Sequence, residues 1–88
     1  MTTADVRHQP QQQRFFIAVD SHIAVLEYTL DGDNHCDFCR TYVPFSMRGK
    51  GYAELLATAA VSWATEQGYA LTASCWYVEK FLAESAGQ

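Results

Sequence analysis

Thr41-Tyr42-Val43-Pro44-Phe45-Ser46-Met47-Arg48-Gly49-Lys50-Gly51-Tyr52-Ala53 is the stretch from which the fold of this chain can be read. An extended run, Thr41-Tyr42-Val43, is cut off by a proline; two glycines and two cations then lead into a long alanine-rich segment. Glycine lets the backbone turn tightly and lie close to a ligand. The first turn of the following helix presents unpaired N–H groups that together carry about half a positive charge. Such a turn can seat a phosphate without any dedicated side chain.

Beyond this turn, Leu56, Ala60, Trp63 and Ala64 fall on one helical stripe between Gly51 and Gln67, with Glu54, Thr58, Thr65 and Glu66 off it. Gly68 supplies a C-terminal cap. Tyr69–Ala73 reads as a short strand, and Ser74 is placed to cap a last helix whose Tyr77, Val78, Phe81 and Leu82 face the sheet. On the N-terminal side, His35–Val43 reads as a strand in which Phe38 and Tyr42 have the spacing to share a face, and Pro44 ends it by removing a backbone donor. Asp31-Gly32-Asp33-Asn34 marks a hairpin. Ala24, Leu26, Tyr28 and Leu30 alternate on one face of the strand before it, Asp20-Ser21 is a turn, and Phe15–Val19 is an apolar run. Residues 1–13 lack apolar periodicity and are expected to be a disordered tail outside the core, leaving the domain proper over 14–88. The expected fold is α+β in the order β-β-β-α-β-α: an antiparallel three-stranded meander, a crossover helix, a parallel fourth strand and a C-terminal helix.

With 88 residues, 49% of them hydrophobic, the chain has material for one small domain. A chain this short needs one compact core with few loops, or else a partner that covers an edge, a second copy in a homo-oligomer being one such partner. The formal charge of −4 argues against sequence-independent nucleic-acid binding, which needs a basic footprint, and suits a cationic partner. Three cysteines, no apolar leader and no membrane-length apolar run point to a reduced, cytoplasmic protein without a membrane role.

The strand, the Arg48-Gly49-Lys50-Gly51-Tyr52-Ala53 turn and the helix together resemble the Gln/Arg-x-x-Gly-x-Gly/Ala element of GNAT-type N-acetyltransferases. Thr41-Tyr42-Val43-Pro44, Gly68 and Cys75-Trp76-Tyr77-Val78 sharpen the likeness toward the small single-domain GNAT-like group of YjdJ type, good from Thr41 to Leu82 and weaker from Arg14 to Arg40. The resemblance implies acetyl-CoA as cosubstrate, its pyrophosphate held by Arg48, Gly49, Lys50, Gly51, Tyr52 and Ala53 and its acetyl end by main-chain groups of Val43 and Tyr42. Pro44, having no N–H, cannot donate there. Two departures stand out: Arg40 occupies a position where the group often has histidine, and the ending Ala83-Glu84-Ser85-Ala86-Gly87-Gln88 lacks the His-Pro-Glu-like sequence expected of it.

Acetyl transfer to an amine needs a neutral nucleophile, a donor for the developing oxyanion and a proton for the departing thiolate. The resemblance puts Cys75 near the thioester, and a helix start lowers a thiol pKa, so Cys75 can relay the acetyl group or act as an acid or base; the plain alternative is a buried small hydrophobe. Tyr77 can protonate the thiolate, or else pack with its hydroxyl bonded to the backbone. Cys36-Asp37-Phe38-Cys39 has Cys-x-x-Cys spacing beside His35. Nothing supplies a second ligand pair, and a three-residue step on a strand sends the sulfurs to opposite faces, so no metal site is expected. Glu27 and His22 are further bases without a motif behind them, read as solvated residues. Leu56, Ala60 and Trp63, with Phe81 and Leu82, read as core. The expected function is transfer of an acetyl group from acetyl-CoA to an amine: a protein lysine, an N-terminus or a small amine. The alternatives are a non-catalytic acyl-CoA binder and an interaction module pairing through a sheet edge.

Overall fold

The computed structural model describes residues 5–32 and 34–86. Asp33 of the expected hairpin, and residues 1–4 and 87–88, lie outside the described residues. The elements run β1 (Arg7–Gln9), β2 (Arg14–Val19), β3 (His22–Asp31), β4 (His35–Tyr42), a 3₁₀ turn (Phe45–Met47), α1 (Tyr52–Glu66), β5 (Ala70–Ala73) and α2 (Trp76–Ala86). The five strands form one sheet in sequential order, antiparallel from β1 to β4 and parallel between β4 and β5. The meander, crossover helix, parallel strand and last helix are those read from the sequence.

One face of the sheet builds the core. Phe15, Ile17, Ala24, Leu26, Tyr28, Cys36 and Phe38 meet Leu56, Ala57, Ala60 and Ala64 of α1 and Val78 of α2, and all are buried. The alanine side chains let α1 sit close to the strands, so added methylenes there would cost about 1–3 kcal/mol in displaced neighbours. Gly68, at φ 81°, closes α1: its N–H bonds Thr65 O and the Tyr69 N–H bonds Ala64 O, which satisfies two terminal carbonyls. The opposite face carries arginines laid over aromatic rings, Arg14 above Phe16 and Arg40 above Tyr42, each 5.5 Å from the ring centre. Arg40 also pairs with Glu27 at 3.4 Å, which accounts for that carboxylate as an outward residue.

Three expectations are corrected. Arg7–Gln9, assigned to the tail, is a strand, because His8 finds an aromatic niche: its ring stacks on Phe15 at 4.1 Å and meets the edge of Trp63 at 4.7 Å. A 2.6 Å hydrogen bond joins His8 Nε2 to the Tyr28 hydroxyl. Leu30 keeps the expected alternation, paired with Cys36, and is exposed near the end of β3. Phe38 and Tyr42 do not share a face. Tyr28 pairs with Phe38 while Glu27 pairs with Arg40, so Cys39 is the extra residue of a β-bulge and reverses the alternation beyond it. Thr41, paired with the core residue Leu26, therefore faces the helices, and Tyr42 faces away. Finally, Ser74 does not cap α2. Its hydroxyl bonds Asp37, and the Cys75 carbonyl accepts the first helical bond, from the Glu79 N–H.

Burial holds the His8 ring below its ordinary value of 6.5 and pushes Tyr28, which also sees Cys36 and Tyr69, up to about 12. The folded chain thus favours neutral His8: its contribution is intact above pH 6.5 and falls as the pH drops through 6.5, where the unfolded chain takes up a proton first. Replacing His8 with Ala should cost about 1–2 kcal/mol through lost stacking and the lost hydrogen bond. In thermal melts between pH 7 and 5, His8→Phe should flatten the acid-side decline seen in the wild type.

Candidate functional site

The site forms where β4 and β5 part. Parallel pairing ends at Phe38 opposite Ala73, and the Phe38 carbonyl accepts both the Ser74 and the Cys75 N–H, at 3.0 and 3.1 Å. From there β5 turns into α2 while β4 runs on to Tyr42, which opens a wedge. A groove of about 360 Å³ fills it, with Thr41, Tyr42 and Val43 on one side and Cys75, Trp76 and Tyr77 on the other. It adjoins a cleft of about 240 Å³ over the glycine turn, lined by Gly49, Gly51 and Tyr52, with Val43, Arg48, Ala53 and Tyr77 shared between the two. Glu54 is the one acidic residue lining that cleft.

The turn is built from backbone. Gly49 and Gly51 have φ of 79° and 80°, a region where an L side chain is strained, although a Cβ at either would meet nothing within 4 Å. The requirement is conformational, and the space above the glycines is open. Gly51 starts α1 with no side-chain hydrogen bond capping it, so no cap occupies the first-turn amides. Arg48 is committed in part: its Nε donates to Val43 O at 2.9 Å, and the guanidinium carbon lies 6.0 Å from the Phe45 ring centre. Lys50 is exposed and outside the lining of the cleft.

Cys75 sits at the start of α2, half-buried, with its thiol donating to Thr41 Oγ1 at 3.4 Å. Burial works against its ionisation. The Thr41 hydroxyl, backbone groups of Val78 and Tyr77 and a backbone group of Thr41 together outweigh burial, and the thiol sits below its ordinary value of 9.0. The other two cysteines differ. Cys36 is fully buried and pushed up to about 11, and Cys39, an exposed residue, is raised by partial desolvation of its sulfur and by the charges of Glu27 and Asp37. The two sulfurs stand in opposite environments, and no group of three or more candidate metal ligands occurs among the described residues. Tyr77 is raised by burial and by Glu54 and Glu84, so its hydroxyl keeps its proton at neutral pH. His22 is exposed at the start of β3. Trp76, 71% exposed, and Phe45, 85% exposed, are large apolar surfaces close to the groove and the turn.

The structure thus brings together Tyr42, Val43, Arg48, Gly49, Gly51, Tyr52, Ala53, Cys75 and Tyr77, and leaves Lys50 aside. Thr41 as the partner of Cys75 was missed, since it depends on the bulge at Cys39.

Known proteins bear the same stamp. The sequence profile described as GCN5-related N-acetyl-transferase matches residues 14–87. The chain belongs to that family. Relatives at similar identity include Protein NATD1 of Danio rerio, 35% identical over 86 residues that span 96% of this chain and 78% of its own length. Protein NATD1 of Mus musculus is 33% identical over 82 residues, spanning 91% and 74%. The solution NMR structure of a GCN5-like protein from Staphylococcus aureus matches with a TM-score of 0.76 over 99% of this chain and 85% of that one. At 22% identity that match speaks for the fold. None of the helices among the described residues is long and apolar enough to cross a membrane.

Iodoacetamide at neutral pH should label Cys75 ahead of Cys39 and Cys36, read by peptide mass spectrometry. Thr41→Val should raise the Cys75 pKa and slow its labelling several-fold, by removing a hydroxyl that favours the thiolate.

Proposed function

We propose that this chain binds acetyl-CoA in the groove between β4 and α2 and moves the acetyl group to an amine. The observation that carries the reading is the placement of the Cys75 thiol at one end of a continuous groove whose other end is the uncapped start of α1. Acetyl-CoA supplies an activated acetyl thioester. The first-turn amides beyond Gly49 and Gly51 suit a pyrophosphate, with Arg48 and Lys50 offsetting Glu54. Because Arg48 holds the Val43 carbonyl, the Val43 amide is the main-chain group left to meet the acyl end.

The Cys75 thiolate acts as nucleophile: its sulfur bonds the acetyl carbon as the C–S bond of the thioester breaks, and the Tyr77 hydroxyl protonates the departing thiolate. A neutral amine then attacks the acyl-Cys75, an N–C bond forms, the Cys75 thiolate leaves, and the amine proton passes to the Tyr77 phenolate, which restores the acid for the next cycle. The acidic balance of the chain favours a cationic acceptor approaching the groove, whether a protein lysine, an N-terminus or a small amine. A second reading, an acyl-CoA binder without turnover, draws on Arg40. Where the group often has a histidine, this guanidinium is engaged by Glu27 and Tyr42 on the face away from the helices.

Calorimetric titration should give micromolar binding of acetyl-CoA, about 8 kcal/mol, which Gly51→Glu abolishes through backbone strain and an added negative charge at the turn. With acetyl-CoA alone the protein should acquire an acetyl group on Cys75. Cys75→Ala should lose turnover, and Tyr77→Phe should lower kcat by about 10²-fold. Binding without an adduct or turnover across a panel of amines would favour the second reading. Absence of wild-type binding would leave the glycine turn a structural one.

A further inference from the structure

The turn that delivers Cys75 to the groove is held by a carboxylate on the neighbouring strand. Asp37 of β4 lies in register with Thr72 of β5, on the sheet face away from the helices. Its two oxygens serve two hydroxyls: Thr72 Oγ1 donates to Oδ1 at 2.7 Å, and Ser74 Oγ donates to Oδ2 at 2.8 Å. The next residue, Phe38, adds two main-chain bonds through its carbonyl, from the Ser74 and Cys75 N–H groups. Four hydrogen bonds from two consecutive residues of β4 thus bracket residues 72–75. The Thr72 hydroxyl has one hydrogen and gives it to Asp37, so the His35 Nε2, 2.7 Å from Thr72 Oγ1, is the donor in that contact. His35 Nδ1 lies 3.8 Å from Asp31 at the end of β3, an ion pair only when the imidazole is protonated. The titratable groups that face Asp37 are His35, Cys36 and Cys39, with Asp31 beyond His35.

The groups that favour the Cys75 thiolate belong to two elements: Thr41 on β4, and Tyr77 and Val78 on α2. The sulfur meets both only if the turn between β5 and α2 keeps its angle to β4. The Phe38 carbonyl fixes the amides of that turn, but a single acceptor shared by two donors leaves rotation about it free. Asp37 supplies the second point of attachment, on the far side of the strand.

We infer that Asp37 is a positioning residue for the Cys75 thiol, clamping Thr72 and Ser74 so that the sulfur stays within reach of Thr41 and the first turn of α2. The inference rests on the reading of Cys75 as the reactive thiol. Its sign is diagnostic. Acting only through its charge, Asp37 would disfavour a nearby thiolate, and removing it would lower the Cys75 pKa. Acting by position, its removal raises that pKa.

The test is the pH dependence of Cys75 alkylation by iodoacetamide, resolved by peptide mass spectrometry, in wild type, Asp37→Ala, Asp37→Asn and Ser74→Ala, with thermal melts in parallel. Asp37→Ala should raise the Cys75 pKa by about one unit, a slowing of about tenfold below the titration midpoint. Ser74→Ala should move it in the same direction, and Asp37→Asn less than Asp37→Ala, since the amide keeps an acceptor for Thr72. Ser74→Ala deletes one hydroxyl and carries the test should Asp37→Ala not fold. A wild-type Cys75 that is activated, with a pKa unmoved or lowered in Asp37→Ala and Ser74→Ala, would overturn the inference and leave the nucleophile reading standing. A wild-type Cys75 that titrates at the ordinary thiol value would overturn both.

Discussion

The carbonyl of Phe38 is the point on which the structure turns. By accepting two consecutive amides it ends the parallel ladder and starts the departure of α2 from the sheet. A ladder one residue pair longer would carry β5 along the floor of the wedge and leave no groove. A shorter one would release the turn that carries Cys75. The bulge one residue further along β4 matters as much, because it rotates Thr41 toward the helices while Arg40 and Tyr42 take the open face. A geometry needed for chemistry is therefore set by where backbone pairing stops and slips.

Around that point the chain spends little on ornament. A domain of 88 residues buries a modest share of its surface, and its core leans on a few large side chains, with small alanines bringing α1 close to the strands. The aromatic niche of His8, Phe15, Tyr28 and Trp63 extends the core past β2 and recruits the short N-terminal strand to the sheet edge. Both edge strands are short, three residues in β1 and four in β5, and short edges are poor templates for pairing with another chain.

Much of this was legible in the sequence because the relevant signals are local. The glycine turn, the Leu56–Ala64 stripe, the Gly68 cap and the alternation in β3 each declare themselves within a few residues. The missing pieces depend on contacts across the sheet. His8 sits in a glutamine-rich segment without periodicity, and only Phe15, Tyr28 and Trp63, brought beside it by the fold, seat it against the core. The bulge leaves no mark in Phe38-Cys39-Arg40-Thr41, since its position follows from the register against Glu27 and Tyr28. Ser74 has the composition of a helix cap, yet its hydroxyl donates to a carboxylate on the neighbouring strand and the first helical bond is accepted one residue later, by Cys75. Cys75 and Tyr77 could be named from their motif, whereas Thr41 and Asp37 needed the fold.

The two tryptophans divide the molecule into separately observable parts. Trp63 is packed against His8, Phe15, Tyr28 and Tyr69, so its emission should be that of a shielded indole and should change when the N-terminal strand leaves the sheet. Trp76 stands 71% exposed on the wall of the groove, where its emission should be that of a hydrated indole until something occupies the groove and displaces the water. Without any added label, the protein carries one fluorophore that reports on folding and a second that reports on occupancy.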